Sequence, residues 1–245
     1  MVAVVTGASS GIGAATARRL AREPGAQLVL VARREERLRA LADELGGATV
    51  VAVDLVELDV PARVAAAVEQ AHGRLDLLVN NAGAGWHATF ADAGWEGVQR
   101  HMDLNFNAVV RLTEALLPLL RRSAPSAIVN VSSVAGRVAR RKSGAYSASK
   151  FALAGWSDAL AVEERAAGVH VGLVLPGFVA TEGFPQRDLV SRAATRWAVS
   201  TPEKVAEAIV DAGPGGRAER YVPRPYWLIA AARTLAPALV RRFTR

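Results

Sequence analysis

Tyr146 and Lys150 are the pair whose residue types and spacing are best suited to chemistry in this sequence. Because they are four residues apart, they would share one face of a helix. A free phenol titrates near ~10, so it is a poor proton donor or acceptor at neutral pH. A cation beside it favours the phenolate, and a tyrosine with a lowered pKa can exchange a proton with a carbinol oxygen. The pair indicates a general acid–base, and a solvent-facing helix turn is the alternative.

A glycine-rich turn near the start of the chain is the first element that could position a reaction partner. The apolar run 2–5 predicts a buried strand, glycines follow at 7, 11 and 13, and a helical pattern continues to about Arg22. Glycines let the backbone approach a diphosphate, and the helix start presents unpaired N–H groups to it. This order of strand, turn and helix predicts dinucleotide binding rather than an ordinary tight turn.

Two arginines, Arg33 and Arg34, follow the second predicted strand, residues 27–32. They lie about twenty residues past the glycines, where an acidic residue would bind the ribose of NAD and an arginine the 2′-phosphate of NADP. The bidentate pairing of guanidinium with phosphate therefore favours NADP(H) over NAD(H). A basic first turn of the next helix, paired with Glu35 and Glu36, is the alternative.

Strands and helices alternate through the rest of the first three quarters of the chain. Further strands are predicted at 49–53, 75–79, 127–131 and 169–175. Asp54 follows the first of these, and Asn80-Asn81-Ala82-Gly83 follows the second, where polar residues line the cofactor crevice of an open sheet or simply form turns. Six alternating strands predict an α/β single-domain Rossmann fold, a doubly wound parallel sheet flanked by helices.

Two predicted helices carry further polar candidates. A long helix is expected from His101 to Arg122, with Asn105 and Asn107 inside it and surface exposure as the simplest interpretation of both. The helix that carries Tyr146 is expected to continue to about Ala167.

Five motifs occur in a fixed order: Thr6-Gly7-x-x-x-Gly11-x-Gly13, Asn80-Asn81-Ala82-Gly83, Ser133, Tyr146-x-x-x-Lys150 and Pro176-Gly177. In these the sequence resembles the short-chain dehydrogenase/reductase (SDR) family over roughly residues 1–182. The resemblance implies an oxidoreductase that transfers a hydride between NADP(H) and a carbonyl or secondary alcohol. A non-catalytic dinucleotide-binding regulator of the same fold is the alternative.

The resemblance also implies catalytic roles. Tyr146 would be the general acid–base, and Lys150 would lower its pKa and hold the nicotinamide ribose. Ser133 would bind the substrate oxygen, with Ser132 as its neighbouring alternative. Asn105 would complete the tetrad by ordering a water in a proton relay to Lys150, and Asn107 competes with it for this role.

The implied cofactor site is larger. Asp54 and Leu55 would meet the adenine, Asn81, Ala82 and Gly83 the adenosine ribose, and Thr181 the nicotinamide carboxamide. The full implied set is Gly7, Ser9, Ser10, Gly11, Ile12, Gly13, Arg33, Arg34, Asp54, Leu55, Asn81, Ala82, Gly83, Tyr146, Lys150, Pro176, Gly177 and Thr181.

The amino-acid composition narrows the classes of function that remain. The 245 residues include no cysteine, which rules out disulfides and thiolate sites and agrees with a cytoplasmic, reducing location. No metal is expected, because the four histidines lack ligand spacing. The net charge of +7 raises nucleic acid as a partner, but the arginines are spread over several clusters, so no specific nucleic-acid binding is expected. Neither a signal peptide nor a membrane-spanning run is predicted.

The C-terminal segment, about 183–245, departs from the common family pattern. A helical piece is expected near Gln186 to Ala198, a helix from Pro202 to about Ala212, and an apolar, arginine-rich tail from Tyr226 to Arg245 that Pro237 interrupts. This helical C-terminal extension is expected to cover the substrate mouth or to pack on a second subunit, in a homodimer or homotetramer. Contact with a membrane surface is the less favoured alternative. Three aromatic residues that follow cofactor-side motifs suggest a partly apolar small-molecule substrate: Trp86, Phe178 and Phe184.

Overall fold

The computed structural model describes residues 1–182, 198–238 and 240. The strands are Val2–Thr6 (β1), Gln27–Ala32 (β2), Thr49–Ala52 (β3), Leu77–Asn80 (β4), Ser126–Val131 (β5), Val169–Pro176 (β6), Phe178–Val179 (β7), Val199–Ser200 (β8) and Glu219–Val222 (β9). The helices are Gly11–Leu20 (α1), Glu35–Glu44 (α2), Val60–His72 (α3), Phe90–Met102 (α4), Ala108–Arg122 (α5), Gly144–Glu163 (α6), Pro202–Ala212 (α7) and Tyr226–Leu235 (α8). Shorter helical turns are Asp103–Asn107 (π), Val134–Gly136 and Arg165–Ala167 (both 3₁₀).

A parallel sheet in the order β3-β2-β1-β4-β5-β6-β9 forms the centre of the described chain. Every neighbouring pair in it is parallel, and β7 and β8 form a separate short parallel pair. Valine, leucine and isoleucine fill β1, β2, β4 and β5, because strands covered on both faces need apolar side chains on both sides. The predicted doubly wound parallel sheet is confirmed.

Helices cover both faces of this sheet. On one face, buried side chains of α1, α2 and α7 pack against the strands. On the other face, α3, α5 and the C-terminal half of α6 do so. The amphipathic pattern of α5 shows why: Leu112, Leu116 and Leu120 recur at helical spacing, and all three are buried.

The chain reverses its direction of travel across the sheet between β1 and β4. From β1 it proceeds outward through β2 to β3, and it then returns to β4 on the other side of β1. In open α/β sheets the crevice outside the carboxyl ends of such a strand pair is where ligands bind. The glycine turn follows β1 and the Asn81 loop follows β4, so both lie at this point.

The predicted long helix from His101 to Arg122 is wrong in its first part. Helix α4 begins at Phe90, where the Thr89 side chain accepts a hydrogen bond from the Asp92 N–H, and a π turn separates α4 from α5. Gly94 has non-helical backbone angles inside α4, with φ 51° and ψ −155°, and glycines at 94 and 97 disfavour a helix, so the sequence gives a weak helical signal there. Helix α6 likewise ends at Glu163, ahead of the predicted Ala167.

The C-terminal part adds a strand to the six that the sequence predicts. Strand β9 pairs with β6 and forms one edge of the sheet. Helix α7 has the predicted bounds, and α8 ends at Leu235, just before Pro237. The helical piece predicted near Gln186 lies outside the described residues, as do Phe184 and the last five residues of the tail. Among the helices that the structure describes, none combines the length and apolar character needed to cross a bilayer.

Candidate active site

The glycine turn and the Asn81 loop are joined at the carboxyl ends of β1 and β4. Thr6 Oγ1 accepts the Asn81 N–H at 3.0 Å, and Asn81 Nδ2 donates to the Thr6 carbonyl at 2.9 Å. Gly7 and Gly11 adopt left-handed φ values of 67° and 54°. A Cβ on Gly13 would lie 2.2 Å from the Gly7 carbonyl oxygen, so this close packing of turn on helix requires glycine. The turn is therefore rigid and lined by backbone.

The start of α1 fits a phosphate group. Ser10, the residue that precedes the helix, makes no side-chain capping bond, so the first N–H groups of the helix have no side-chain acceptor from that position. Such N–H groups, with the positive end of the helix dipole, favour an anion. The residues present thus fit the diphosphate that the sequence predicts at this turn.

Arg34 reaches back from the end of β2 to the glycine turn. Its guanidinium donates to Ser9 Oγ at 3.0 and 3.2 Å and to Ser10 Oγ at 2.7 Å. Arg33 is 74% exposed, and its Nη1 lies 3.7 Å from an oxygen of Asp54, the predicted adenine contact. Two guanidinium groups thus flank the place where the ribose next to the adenine would lie, which fits a phosphate there.

Other predicted cofactor residues border the same crevice. Leu55 is buried after β3, while Ile12 and Ala82 are partly buried against opposite faces of the core. Thr181 lies across the glycine turn, because a Cβ on Gly11 would be 3.3 Å from its Cγ2. The structure therefore brings the turn, the ends of β3 and β4, and Thr181 to one edge of the sheet.

Tyr146 lies in the first turn of α6, and its phenol interacts with the side chain of Ser133. Ser133 Oγ also donates to the Pro176 carbonyl at 3.2 Å, which connects it to the end of β6. The neighbouring Ser132 Oγ instead donates to the backbone carbonyl of Lys150 at 2.9 Å. Of the two serines, Ser133 is therefore the one whose side chain is near the tyrosine, and its role in binding the substrate oxygen stays a prediction.

Lys150 lies one turn further along α6 and is 4% exposed. Its Nζ donates to the Val131 carbonyl at 2.9 Å. A Cβ on Gly83 would lie 3.3 Å from this Nζ and 3.0 Å from Asn105 Oδ1, so glycine at this position lets the lysine and the asparagine approach each other.

Asn105 occupies the π turn between α4 and α5 and is fully buried. Its Oδ1 accepts the Ala84 N–H at 2.9 Å, and its Nδ2 donates to the Ala84 carbonyl and to Ser149 Oγ, each at 3.0 Å. Surface exposure is therefore the wrong interpretation of this residue. Asn107 bonds back to Asp103 on the same turn, so Asn105 is the one beside Lys150. Extra backbone bulges of this kind are frequent at functional sites.

Burial is the largest influence on the pKa values of Tyr146 and Lys150. It raises the pKa of Tyr146, and the nearby Ser133 side chain and the positive charge of Arg140 oppose that rise only in part. Burial also lowers the pKa of Lys150 to about 8. The predicted net lowering of the Tyr146 pKa by Lys150 is therefore wrong for this arrangement. The phenol is protonated at neutral pH, ready to donate.

Three residues near this site were not assigned a role from the sequence, and His101 is the first of them. His101 is buried, with its ring centroid 6.2 Å from that of Tyr146. Its Nε2 accepts the Trp86 N–H at 3.1 Å, and its Nδ1 lies 2.6 Å from the Gly97 carbonyl, which assigns the proton to Nδ1. Of the two interpretations of the histidines, exposed surface or packing, packing applies to His101. Its bond to the Trp86 N–H ties the loop after β4 to α4.

Arg140 and Tyr226 are the other unassigned neighbours. The Arg140 guanidinium carbon lies 4.8 Å from the Phe178 ring centroid. A Cβ on Gly177 would be 2.5 Å from the Tyr226 ring, so the start of α8 packs directly on the turn after β6. The sequence has a run rich in basic residues at 137–142, just ahead of Tyr146, and this run is a signal for Arg140. No local pattern indicates Tyr226. Within the described ranges no group of three or more His, Cys, Asp or Glu side chains could bind a metal ion.

The fold agrees with comparisons to known proteins. A family model described as short chain dehydrogenase matches residues 1–189. The chain therefore belongs to the short-chain dehydrogenase/reductase family, whose members are oxidoreductases. It is 38% identical to oxidoreductase UcpA of Salmonella typhimurium over 195 residues, 78% of this chain and 72% of that protein. It is 36% identical to ketoacyl reductase HetN of Nostoc over 214 residues, 85% of this chain and 74% of that protein.

A solved structure is similar over nearly the whole chain. It is a variant of actinorhodin polyketide ketoreductase with NADPH, and it has a TM-score of 0.80 and 32% sequence identity. The match covers 90% of this chain and 95% of the ketoreductase.

Proposed function

We propose that this protein is an NADP(H)-dependent oxidoreductase that reduces the carbonyl group of a small molecule to a secondary alcohol. The observation that carries the proposal is the placement of Tyr146 beside Ser133, one helical turn from buried Lys150 and at the same sheet edge as the glycine turn. The ketoreductase neighbour, which contains NADPH, supports both the reaction type and the cofactor.

Each of these residues has one task in the proposed reaction. A bound nicotinamide dinucleotide supplies the hydride. Ser133 donates a hydrogen bond to the carbonyl oxygen and stabilises the charge that develops there. Tyr146 transfers its hydroxyl proton to the same oxygen, so the C=O π bond is replaced by one C–H and one O–H bond. Lys150, charged at neutral pH, stabilises the phenolate that remains.

Asn105 is a positioning residue in this scheme. Because its side chain holds both polar groups of Ala84 and the hydroxyl of Ser149, it ties the loop after β4 to the helix that carries Tyr146 and Lys150. The proton relay that the family resemblance implies would run along this side of Lys150.

Turnover of ketones tests the proposal. We expect the protein to oxidise NADPH, monitored by its absorbance, with members of a panel of aliphatic and aromatic ketones. The corresponding alcohols should accumulate in an amount equal to the NADPH consumed. A non-catalytic regulator would bind NADPH, seen as a shift in the fluorescence of NADPH, but would not oxidise it in the presence of any ketone. That result would refute the proposed enzymatic activity.

Cofactor choice rests on the guanidinium groups at the end of β2. Arg33→Ala should weaken NADPH binding by roughly tenfold to a hundredfold, because a charged hydrogen bond to the 2′-phosphate is lost, and should leave NADH almost unchanged. Arg39→Ala is the matched control, because Arg39 is an exposed arginine of α2 paired with Glu35. Titration of both cofactors by fluorescence measures the effect. Equal weakening of NADPH and NADH by Arg33→Ala would contradict NADP selectivity.

Three wider features belong to the same proposal. Residues 1–245 form a single domain, which is supported by β9 joining the same sheet as β1. The chain acts as a homodimer or homotetramer, which is supported by large apolar side chains left exposed on α4 and α6: Phe90, Trp95, Phe151 and Val162. It works in the cytoplasm, which agrees with a sequence free of cysteine.

A further inference from the structure

Arg140 is held in place by the turn that precedes α6. Its backbone N–H donates to Ser143 Oγ at 3.3 Å, and the same hydroxyl donates to the Arg140 carbonyl at 2.8 Å. Ser143 is 2% exposed, so this turn is anchored in the protein rather than free in solvent. Since α6 begins at Gly144 and Tyr146 lies in its first turn, the backbone of the exposed residue Arg140 is held close to the start of the helix that carries the reacting hydroxyl.

The side chain of Arg140 turns toward the substrate side of the site. Its guanidinium lies over the ring of Phe178, two residues past Pro176, whose carbonyl accepts from Ser133. The positive charge acts on the phenols of both Tyr146 and Tyr226, lowering their pKa values against the larger, opposite effect of burial. The charge of Arg140 is therefore within electrostatic range of both the proton donor and the start of α8.

No carboxylate in the described ranges forms an ion pair with Arg140. Arg137, one turn earlier, is different, because it pairs with Glu219 at 3.0 Å and with Asp158 at 3.6 Å. A guanidinium stacked by its face on an aromatic ring keeps its N–H edges available for a planar anion.

We propose that Arg140 binds a carboxylate on the substrate, so that the preferred substrates are small ketocarboxylates whose carbonyl group is held by Ser133 and Tyr146. The inference rests on the proposed function and adds the substrate class to it. A guanidinium and a carboxylate form two parallel hydrogen bonds, which would fix the orientation of the carbonyl as well as its charge. The apolar face of Phe178 would then contact the carbon chain between the two groups.

The test compares each acid with its methyl ester, using acetoacetate, levulinate and para-acetylbenzoate to vary the distance between carbonyl and carboxylate. For at least one pair, kcat/KM should favour the acid by about tenfold or more, the usual size of a charge-assisted bond. Arg140→Gln should lower kcat/KM for the acid at least about tenfold more than for its ester, so that the preference disappears. Arg141→Gln, which removes the same charge from the adjacent exposed residue, should keep the preference.

Failure of this inference can be told from failure of the proposed function. Reduction of esters and neutral ketones without any preference for an acid, or equal losses for acid and ester in Arg140→Gln, overturns the substrate class and leaves the oxidoreductase intact. If no carbonyl compound is reduced, the fluorescence of bound NADPH still reports binding of levulinate. Binding that Arg140→Gln abolishes supports the carboxylate site, and no binding to the unaltered protein overturns it.

Discussion

Replacement of Tyr146 by Phe will lower the turnover number by about a hundredfold to ten-thousandfold, the range that a positioned general acid contributes. The change removes one oxygen from a partly buried side chain and keeps the ring, so the fold and the dinucleotide crevice should remain. We therefore expect the dissociation constant for NADPH to stay within about threefold of the original value. Steady-state kinetics and a fluorescence titration on the same preparation separate the two quantities.

Tyr221→Phe provides the matched control for this variant. Tyr221 is also partly buried, and burial together with Glu219 raises its pKa to about 12, but its hydroxyl interacts with Glu219 and Arg137 rather than with Ser133. Its loss should leave turnover unchanged. Near-normal turnover in Tyr146→Phe would refute the proton-transfer role, whereas equal losses in both variants would indicate damage to the fold.

Replacement of Lys150 by Met will have two effects of opposite sign, a large loss of turnover and a gain in stability at neutral pH. The folded protein holds this lysine at a pKa of about 8, below its ordinary 10.5, because burial penalises the charge. At pH 7, below both values, the folded state carries the full penalty, which is on the order of 3 kcal/mol. Methionine has a similar length and carries no charge, so the free energy of unfolding should rise.

The pH dependence of this gain is the stronger test. Between about pH 8 and 10.5 the unfolded chain binds more protons than the folded protein at this position, so stability of the unaltered protein rises with pH. The advantage of Lys150→Met should therefore shrink across that window in urea melts. Lys204→Met, at an exposed position of α7, should show neither gain nor pH dependence. A variant less stable than the original at pH 7 would show that the lysine is not under this penalty.

Features with short-range causes could be predicted from the sequence. The spacing of Tyr146 and Lys150 needs only a helix to bring the two side chains to one face. The glycine turn needs only its neighbours in sequence, because positive φ and close backbone approach both require glycine. The alternation of strands and helices likewise follows from local apolar patterns, and the sheet confirms it.

Features that depend on distant packing could not be predicted in this way. Asn105 is interpreted as exposed when only its own helix is considered, and its burial depends on a π turn that Ala84 and Ser149 hold from outside. The pKa of Tyr146 depends on how completely the surrounding chain removes water, which a pattern of residue types does not report. Strand β9 is short and is stabilised by pairing with β6, so its own four residues carry little signal.

Because Tyr226 comes from the helix α8, the turn at Gly177 can acquire its full packing only after most of the chain has been synthesised. The glycine turn, Ser133 and Tyr146 leave the exit tunnel first, and the nucleotide crevice can fold around them while synthesis continues. During that interval β6 presents an unpaired edge, a hazard for association between nascent chains. Pairing with β9 covers the edge of β6 and leaves a strand of only four residues at the edge of the sheet, after which Tyr226 packs on Gly177.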